Sequence, residues 1–320
     1  MAGDVLEATI PDELAGLRLD QALARLFPAY SRSRLKAWIL DGAVWVDGEI
    51  LRPRDGVSGG EAVTIEPASE APIANRPEPM ELDVVVEDDA FLVINKPAGL
   101  VIHPGAGNPG GTLMNGLLYR YPELGGLPRA GIVHRLDKDT TGLLIVGRTL
   151  TAHTNLVRQL AERQVSREYE AICAGVLTGG GRVDVPIGRH PVDRLRMAVR
   201  DGGKEAVTHY RVLQRFRAHT HVQVRLETGR THQIRVHFAW LRHPLVGDPV
   251  YGGRLAIPAG TSDCLADVLR GFRRQALSAT RLAFAHPVSG GPVEVTAELP
   301  DDFRVLLRAL ADDAVAQAGQ

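Results

Sequence analysis

Cysteine is nearly absent: Cys173 and Cys264 are the only two in 320 residues. So distant a pair supports neither a disulfide framework nor a thiolate metal cluster, and it suits a reducing cytoplasm. Long apolar runs are missing too. The longest candidate, 143–146, stops after four residues, far short of the ~18 that a membrane span requires. The first residues include Asp4 and Glu7 with no basic n-region or apolar core, so no secretory signal is expected. The remaining composition, 44% hydrophobic and 23% charged, is that of a globular chain with room for one large domain and a small one.

Lysine is the other scarcity. Lys36, Lys96, Lys138 and Lys204 stand against 33 arginines, yet the formal net charge is −1. Guanidinium groups grip phosphate bidentately and stack on bases, although a GC-rich genome produces the same skew. Composition does not account for clustering. Arg215, Arg217, Arg225, Arg230, Arg235 and Arg242 share one stretch with a single acid, Glu227. A near-neutral protein with such a strip can hold a polyanion in one place.

Pro67, Pro72, Pro77 and Pro79 mark an extended tether. The expected organisation is a small module at 1–66, a linker at 67–80, a large domain at 81–310 and an Ala-rich frayed tail at 311–320. In the module, Leu19, Leu23 and Leu26 recur at helical spacing. Ser31 is a natural N-cap for a second helix that buries Leu35, Trp38 and Ile39. Asp41-Gly42 ends it, and a strand at 44–46 runs into an Asp47-Gly48 turn. Arg32, Arg34 and Lys36 sit on that helix outside its apolar stripe. They either track a phosphate backbone or form a solvated face.

In the large domain, two short buried strands are expected at 82–86 and 91–95. Further strands are expected at 143–146, 169–173, 207–212 and 222–226, with helices at 112–119, 151–163 and 231–241. Adjacent strand pairs with unevenly interspersed helices predict an α+β fold rather than a doubly wound parallel sheet.

Several motifs fail on context. Residues 105–110 spell G-x-G-x-x-G, but His103-Pro104 interrupts the strand that should precede it. Pro128 and Arg129 stand in the region of the ribose-binding acid. A turn-forming loop is the better reading. There is no Walker lysine and no G-x-S-x-G elbow. His232 and His237 are five apart, roughly 140° around a helix, where a zinc helix uses four. His219 and His221 share a strand face without a third ligand. No metal is expected, and the histidines read as hydrogen-bonding groups at a surface or interface.

Three segments carry chemistry. Residues 131–142 crowd alternating charges into a turn before the apolar strand at 143–146, and nearby cations would hold Asp137 and Asp139 ionised. Such a carboxylate is a nucleophile, a base or a structural ion-pair partner. In the second, strict alternation at 166–173 sends Tyr169, Ala171 and Cys173 to one sheet face, where Tyr169 either stacks on a base or fills the core. In the third, at 226–237, Gly229 closes a strand and Thr231 is placed to cap a helix whose buried face is Ile234, Phe238 and Leu241. Arg235 lies beside that face and needs a carboxylate partner, for which Asp137 is a candidate.

Together these segments resemble the A-type family of RNA pseudouridine synthases that act on the large ribosomal subunit. The matching strings are HRLDKDTTGLLIV (134–146), SREYEAI (166–172) and LETGRTHQIRVHFA (226–239). INKPAGLVIHPGAGNPGGTLMNGLL (94–118), HPLVGDPVYGG (243–253) and RQALSATRLAFAHP (274–287) support them. Residues 17–65 resemble an S4 RNA-binding domain.

The resemblance implies a mixed, largely antiparallel catalytic sheet and the isomerisation of uridines in structured RNA, with 23S ribosomal RNA as the substrate. That reaction adds and removes nothing, so no cofactor is implied. The catalytic aspartate maps onto Asp137, as nucleophile or as base at the sugar. Arg235 maps onto its ion-pair partner and Tyr169 onto the tyrosine that stacks on the target base. Arg135 maps onto the arginine that fills the vacated position. Arg230 and His232 in the basic strip, with Arg32, Arg34 and Lys36 of the S4 helix, are expected to hold RNA. Asp139 is expected to brace the loop through Thr140 or Thr141, and a monomer is expected.

Overall fold

A computed structural model describes residues 5–66 and 76–318, apart from 29, 31, 106, 194 and 195. The chain divides into two compact units, 1–72 and 73–320. The proposed Ser31 cap and linker residues 67–75 lie outside the described residues.

The smaller unit runs β1 (Leu6–Thr9), α1 (Leu19–Leu26), α2 (Arg32–Leu40), β2 (Val44–Val46) and β3 (Ala62–Ile65). Its antiparallel sheet has the order β1-β3-β2. Leu19 and Leu23 of α1 and Leu35 and Ile39 of α2 pack on Val44, Val63 and Ile65, as the helical spacing requires. Asp47 and Gly48 both take positive φ, 50° and 80°, the geometry of a two-residue turn.

The larger unit opens with β4 (Val84–Glu87), β5 (Phe91–Lys96), α3 (Leu113–Arg120), β6 (Thr141–Gly147), α4 (Leu150–Ala161) and β7 (Ser166–Ala174). It continues with β8 (Gly181–Asp184), β9 (Ile187–Arg189), β10 (Met197–Val199), β11 (Val207–Arg215), β12 (His219–Leu226) and α5 (Gln233–Trp240). It ends with α6 (Asp263–Gly271), β13 (Leu277–Ala285), β14 (Pro292–Thr296) and α7 (Asp301–Ala318). One sheet runs β4-β5-β6-β13-β7-β12-β11-β8, with β14 also on β13. Among the described residues only the β6–β13 pairing is parallel, so the architecture is α+β with a mixed, largely antiparallel sheet.

Strand β6 explains its own sequence. Leu144 and Val146 enter a core shared with α3 and α5, while Leu143 and Ile145 enter one shared with α4. A strand covered on both faces reads as an unbroken apolar run. Gly142 takes φ 104°, and a Cβ there would stand 2.1 Å from the Ala279 carbonyl. That close approach between β6 and β13 admits only glycine.

Several expectations need correction. Strand β4 alternates half-buried and exposed residues, because it is the sheet's edge and not a buried strand. Helix α5 begins at Gln233, and its N-cap is His232 in the left-handed region, not Thr231. Residues 76–80 of the expected tether are pinned to the large unit: Asn115 donates to the Arg76 carbonyl at 2.7 Å, and Gly111 donates to Glu78 at 2.8 Å. Residues 311–318 of the expected frayed tail belong to α7, which continues to Ala318. Phe303, Leu306 and Leu310 are buried, and buried Asp313 accepts from the Ser262 N–H at 2.7 Å. Alanine is the best helix former, and those distant partners are invisible in local composition.

Candidate active site

The loop before β6 is shaped by that strand's second edge. Strand β5 covers one edge, while β13 pairs only with Thr141 and Gly142 on the other. The loop itself fills the gap. Ile132 bridges Val146, and His134 Nε2 accepts the Ile145 N–H at 3.0 Å. The imidazole thus replaces a missing strand partner. Burial, helped by the Arg167 charge, pushes it down to about 3, so it stays neutral. Leu136 is buried in the main core, and the Thr140 N–H closes a turn on the Asp137 carbonyl at 3.1 Å.

A buried lysine ties this turn to β5. Lys96 is 1% exposed. Its Nζ donates to the carbonyls of Pro97 at 2.7 Å, Leu100 at 3.0 Å and Lys138 at 2.8 Å. Three acceptors match the three N–H bonds of an ammonium. Burial nevertheless pushes the amine down to about 8, against the pull of Asp139 and Asp137. Gln275 adds a further tie, donating to Thr140 Oγ1 at 3.0 Å.

Asp137 then faces a cleft of about 710 Å³ that Arg135, Tyr169, Arg230, His232 and Arg235 also line. Every large-unit residue expected at the site therefore meets there. Arg235 Nη1 donates to Asp137 Oδ2 at 3.0 Å. Oδ1 lies 3.9 Å from His232 Nε2, beyond hydrogen-bond reach. Among the described residues nothing donates to Oδ1, so one carboxylate oxygen is held and the other is bare.

The guanidinium has a second partner that sequence reasoning missed. Arg235 Nε and Nη2 donate to the two oxygens of Asp248 at 2.7 and 2.9 Å. Asp248 Oδ1 also accepts the N–H groups of Val250 at 2.8 Å and Tyr251 at 2.9 Å. Burial works against both charges, but the paired hydrogen bonds win: Arg235 is held above its ordinary value and Asp248 below its own. Tyr251 lies under the Arg235 guanidinium, 5.0 Å from ring centre to Cζ. Its hydroxyl accepts the Met197 N–H at 2.8 Å and pairs with His232 Nδ1 at 2.8 Å. Burial, more than any neighbouring charge, pushes the His232 imidazole down.

Tyr169 projects from β7 on the same face as Ala171 and Cys173 and is 5% exposed. Burial raises its pKa against the Arg167 charge, leaving a neutral phenol against the cleft.

The other site residues are spread. Arg135 is exposed, and among the described residues it forms no ion pair. Arg230 is half-buried and donates through Nε to the Glu205 carbonyl at 2.8 Å. Arg32 belongs to the smaller unit and is bonded to buried Asp20 at 2.7 Å, which Arg18 also grips. Lys36 is exposed, and the Arg34 side chain lies outside what the structure describes.

The strip from Arg215 to Arg242 is not one basic face. Arg215 is spent on the carbonyls of Leu177 and Thr178, Arg217 on Asp313, and Arg235 is buried. Asp139 does not line the cleft, and among the described residues its carboxylate accepts no hydrogen bond. Thr140 is held by Gln275, and Thr141 by Ser278 at 2.9 Å, so the expected brace is not formed. Several histidines lie in the interior, with His237 at 0%, His219 at 5% and His221 at 8% exposure. Among the described residues no group of three or more His, Cys, Asp and Glu side chains converges where it could share a metal ion.

A family model described as RNA pseudouridylate synthase matches residues 90–240, and an S4 domain model matches residues 17–63. The ribosomal large subunit pseudouridine synthase D of Pseudomonas aeruginosa is 57% identical over 312 residues, covering 98% of each chain. The enzyme of the same description from Xanthomonas campestris pv. campestris is 56% identical over 312 residues, 98% of this chain and 94% of that one. Among solved structures, human RNA pseudouridylate synthase domain containing 4 matches with a TM-score of 0.58 at 26% identity, covering 71% of this chain and 92% of that one.

The chain belongs to the RNA pseudouridine synthase family and carries an S4 domain. It is an enzyme that isomerises uridine in RNA, and no helix among the described residues is long and apolar enough to cross a membrane.

Proposed function

We propose that this chain converts specific uridines of 23S ribosomal RNA, in the cytoplasm, with Asp137 acting on the sugar of an everted nucleotide. Two large-subunit synthases more than half identical to it support the substrate. One geometric observation carries the site assignment: the Asp137 carboxylate, gripped at Oδ2 by a guanidinium and bare at Oδ1 on the cleft wall.

The reaction breaks the bond from C1′ to N1, turns the uracil and joins C1′ to C5. N1 gains a proton and C5 loses one, so mass is unchanged. Asp137 acts at the anomeric centre either as nucleophile or as base, and both routes draw on the same bare oxygen. Tyr169 offers a face on which the detached uracil stacks, worth about 1–3 kcal/mol. Eversion costs a few kcal/mol, and Arg135, exposed at the cleft, fills the vacated stack. Arg230, His232 and exposed Lys36 contact the RNA. Arg32 contributes mainly by ordering α2 through Asp20.

The test is a pseudouridine map of 23S ribosomal RNA from cells with and without this gene. Loss of signal at a few discrete uridines, restored by the wild-type gene, is expected. Identical maps would overturn the substrate assignment.

A further inference from the structure

Arg167 stands on β7 two residues before Tyr169, so the pleat sends both side chains to one face. It lines the same cleft as Asp137 and Tyr169, and it is only 7% exposed. Among the described residues, the two other buried arginines of the large unit each have carboxylates: Arg235 has Asp137 and Asp248, and Arg274 has Asp302. Arg167 has none. Among the described residues no acid lies within ion-pair distance of it and its guanidinium donates no hydrogen bond, while its enclosed Nε is unpartnered.

The neighbouring acids are already committed. Asp137 is held by Arg235, and Glu227, also on the cleft, is taken by His209 and Arg163. Gly229 lies beside the guanidinium: a Cβ there would stand 2.6 Å from Arg167 Nη1 and would press on it.

A cation withdrawn from water without a counter-charge is costly, and a buried donor without an acceptor signals a missing partner. The partner must be an anion that arrives with the substrate. In RNA that anion is the phosphodiester, whose oxygens match a guanidinium fork. We propose that Arg167 is the subsite for a phosphodiester flanking the target uridine, an inference that rests on the RNA-modifying function above. Along the strand the two side chains start about 7 Å apart, the scale of the distance from a base to its own backbone phosphate. Tyr169 takes the base and Arg167 takes the phosphate. Together they fix where the C1′ carbon falls relative to Asp137.

The test uses stem-loop RNAs carrying 5-³H-uridine at the target, with the phosphodiester on either side replaced by an uncharged methylphosphonate. Tritium release is measured with wild type, Arg167→Met and Arg167→Lys. With wild type, one replacement is expected to lower kcat/KM by about 10- to 100-fold, the range for one charge-assisted hydrogen bond. Arg167→Met is expected to lose a similar factor on unmodified RNA and nothing further on that replacement. Arg167→Lys, which keeps the charge, retains part of the rate and shows a smaller sensitivity to the same replacement, so the cycle stands even if the Met variant folds poorly. Wild-type indifference to both methylphosphonates, or losses that multiply in the variants, would overturn the proposal. Failure of the underlying function is distinguishable, because wild type would then release no tritium from unmodified RNA.

Discussion

Asp248 grips Arg235 through parallel hydrogen bonds of 2.7 and 2.9 Å, and this grip decides where the third guanidinium nitrogen points. Nη1 is left for Asp137. Asp248 is itself fixed by two backbone N–H groups, so the reacting carboxylate is aimed by a chain of rigid partners. Asp248→Ala would strand a buried guanidinium. A loss of about 3–5 kcal/mol in stability is expected. The turnover of the remaining folded enzyme is expected to fall by about 10²-fold through misplacement, with little change in RNA affinity. Denaturant titration and single-turnover tritium release measure the two effects separately.

Lys96 gives a prediction whose two halves run in opposite directions. Above its pKa of about 8 the folded amine loses a proton, and one of three carbonyls loses its donor. The Lys138 carbonyl then competes with two others for two N–H bonds, which loosens the catalytic turn. Wild-type turnover should therefore fall above pH ~8, whereas Lys96→Met should be slower throughout and lack that limb. Stability should move the other way. The folded pKa lies below the 10.5 of an unfolded lysine, so the unfolded chain binds more protons across that window. This group's contribution to stability therefore rises with pH there. Turnover and urea midpoints, measured on the same samples, test both directions.

Three enclosed histidines, His219 buried and His103 and His134 half-buried, predict a loss of stability in acid. His103 and His219 are pushed down to about 4 and His134 to about 3, each chiefly by burial. Their stability is fully present above the unfolded value of 6.5 and is lost as pH falls toward the folded values. Each ring contributes up to about 1.4 kcal/mol per pH unit. Against a total of about 5–15 kcal/mol, three of them should remove up to about 6 kcal/mol between pH ~6.5 and ~5. His134→Gln, which can still accept the Ile145 N–H, should flatten the slope. Urea midpoints that stay constant from pH ~7 to ~5 would contradict this.

The parts of the site that are legible in the sequence are contiguous. Asp137 is embedded in a dense charged turn, strand alternation sets the sheet face of Tyr169 while its role comes from the resemblance, and β6 is visible as an apolar run at 143–146. Asp248, Tyr251 and Lys96 are hidden because their roles depend on partners brought close by the fold. Lys96 reaches Lys138 across 42 positions, and an aspartate in a Pro- and Gly-rich turn looks solvated until Arg235 is laid against it. A buried arginine with only one carboxylate assigned is the available signal. The basic strip misleads for the converse reason, since linear clustering does not show which arginines the fold spends internally. The C-terminal helix is lost because composition reports polarity but not the burial of Phe303 and Leu310.

The bare oxygen of Asp137 is tested most directly by tritium release from 5-³H-uridine RNA with wild type and Asp137→Asn. The amide keeps an acceptor for Arg235 while removing the charge. Wild type is expected to release label as pseudouridine forms at unchanged nucleotide mass. The variant, folded and still binding RNA, is expected to be slower by about 10⁴-fold or more. Release by Asp137→Asn at a rate near wild type would contradict the account.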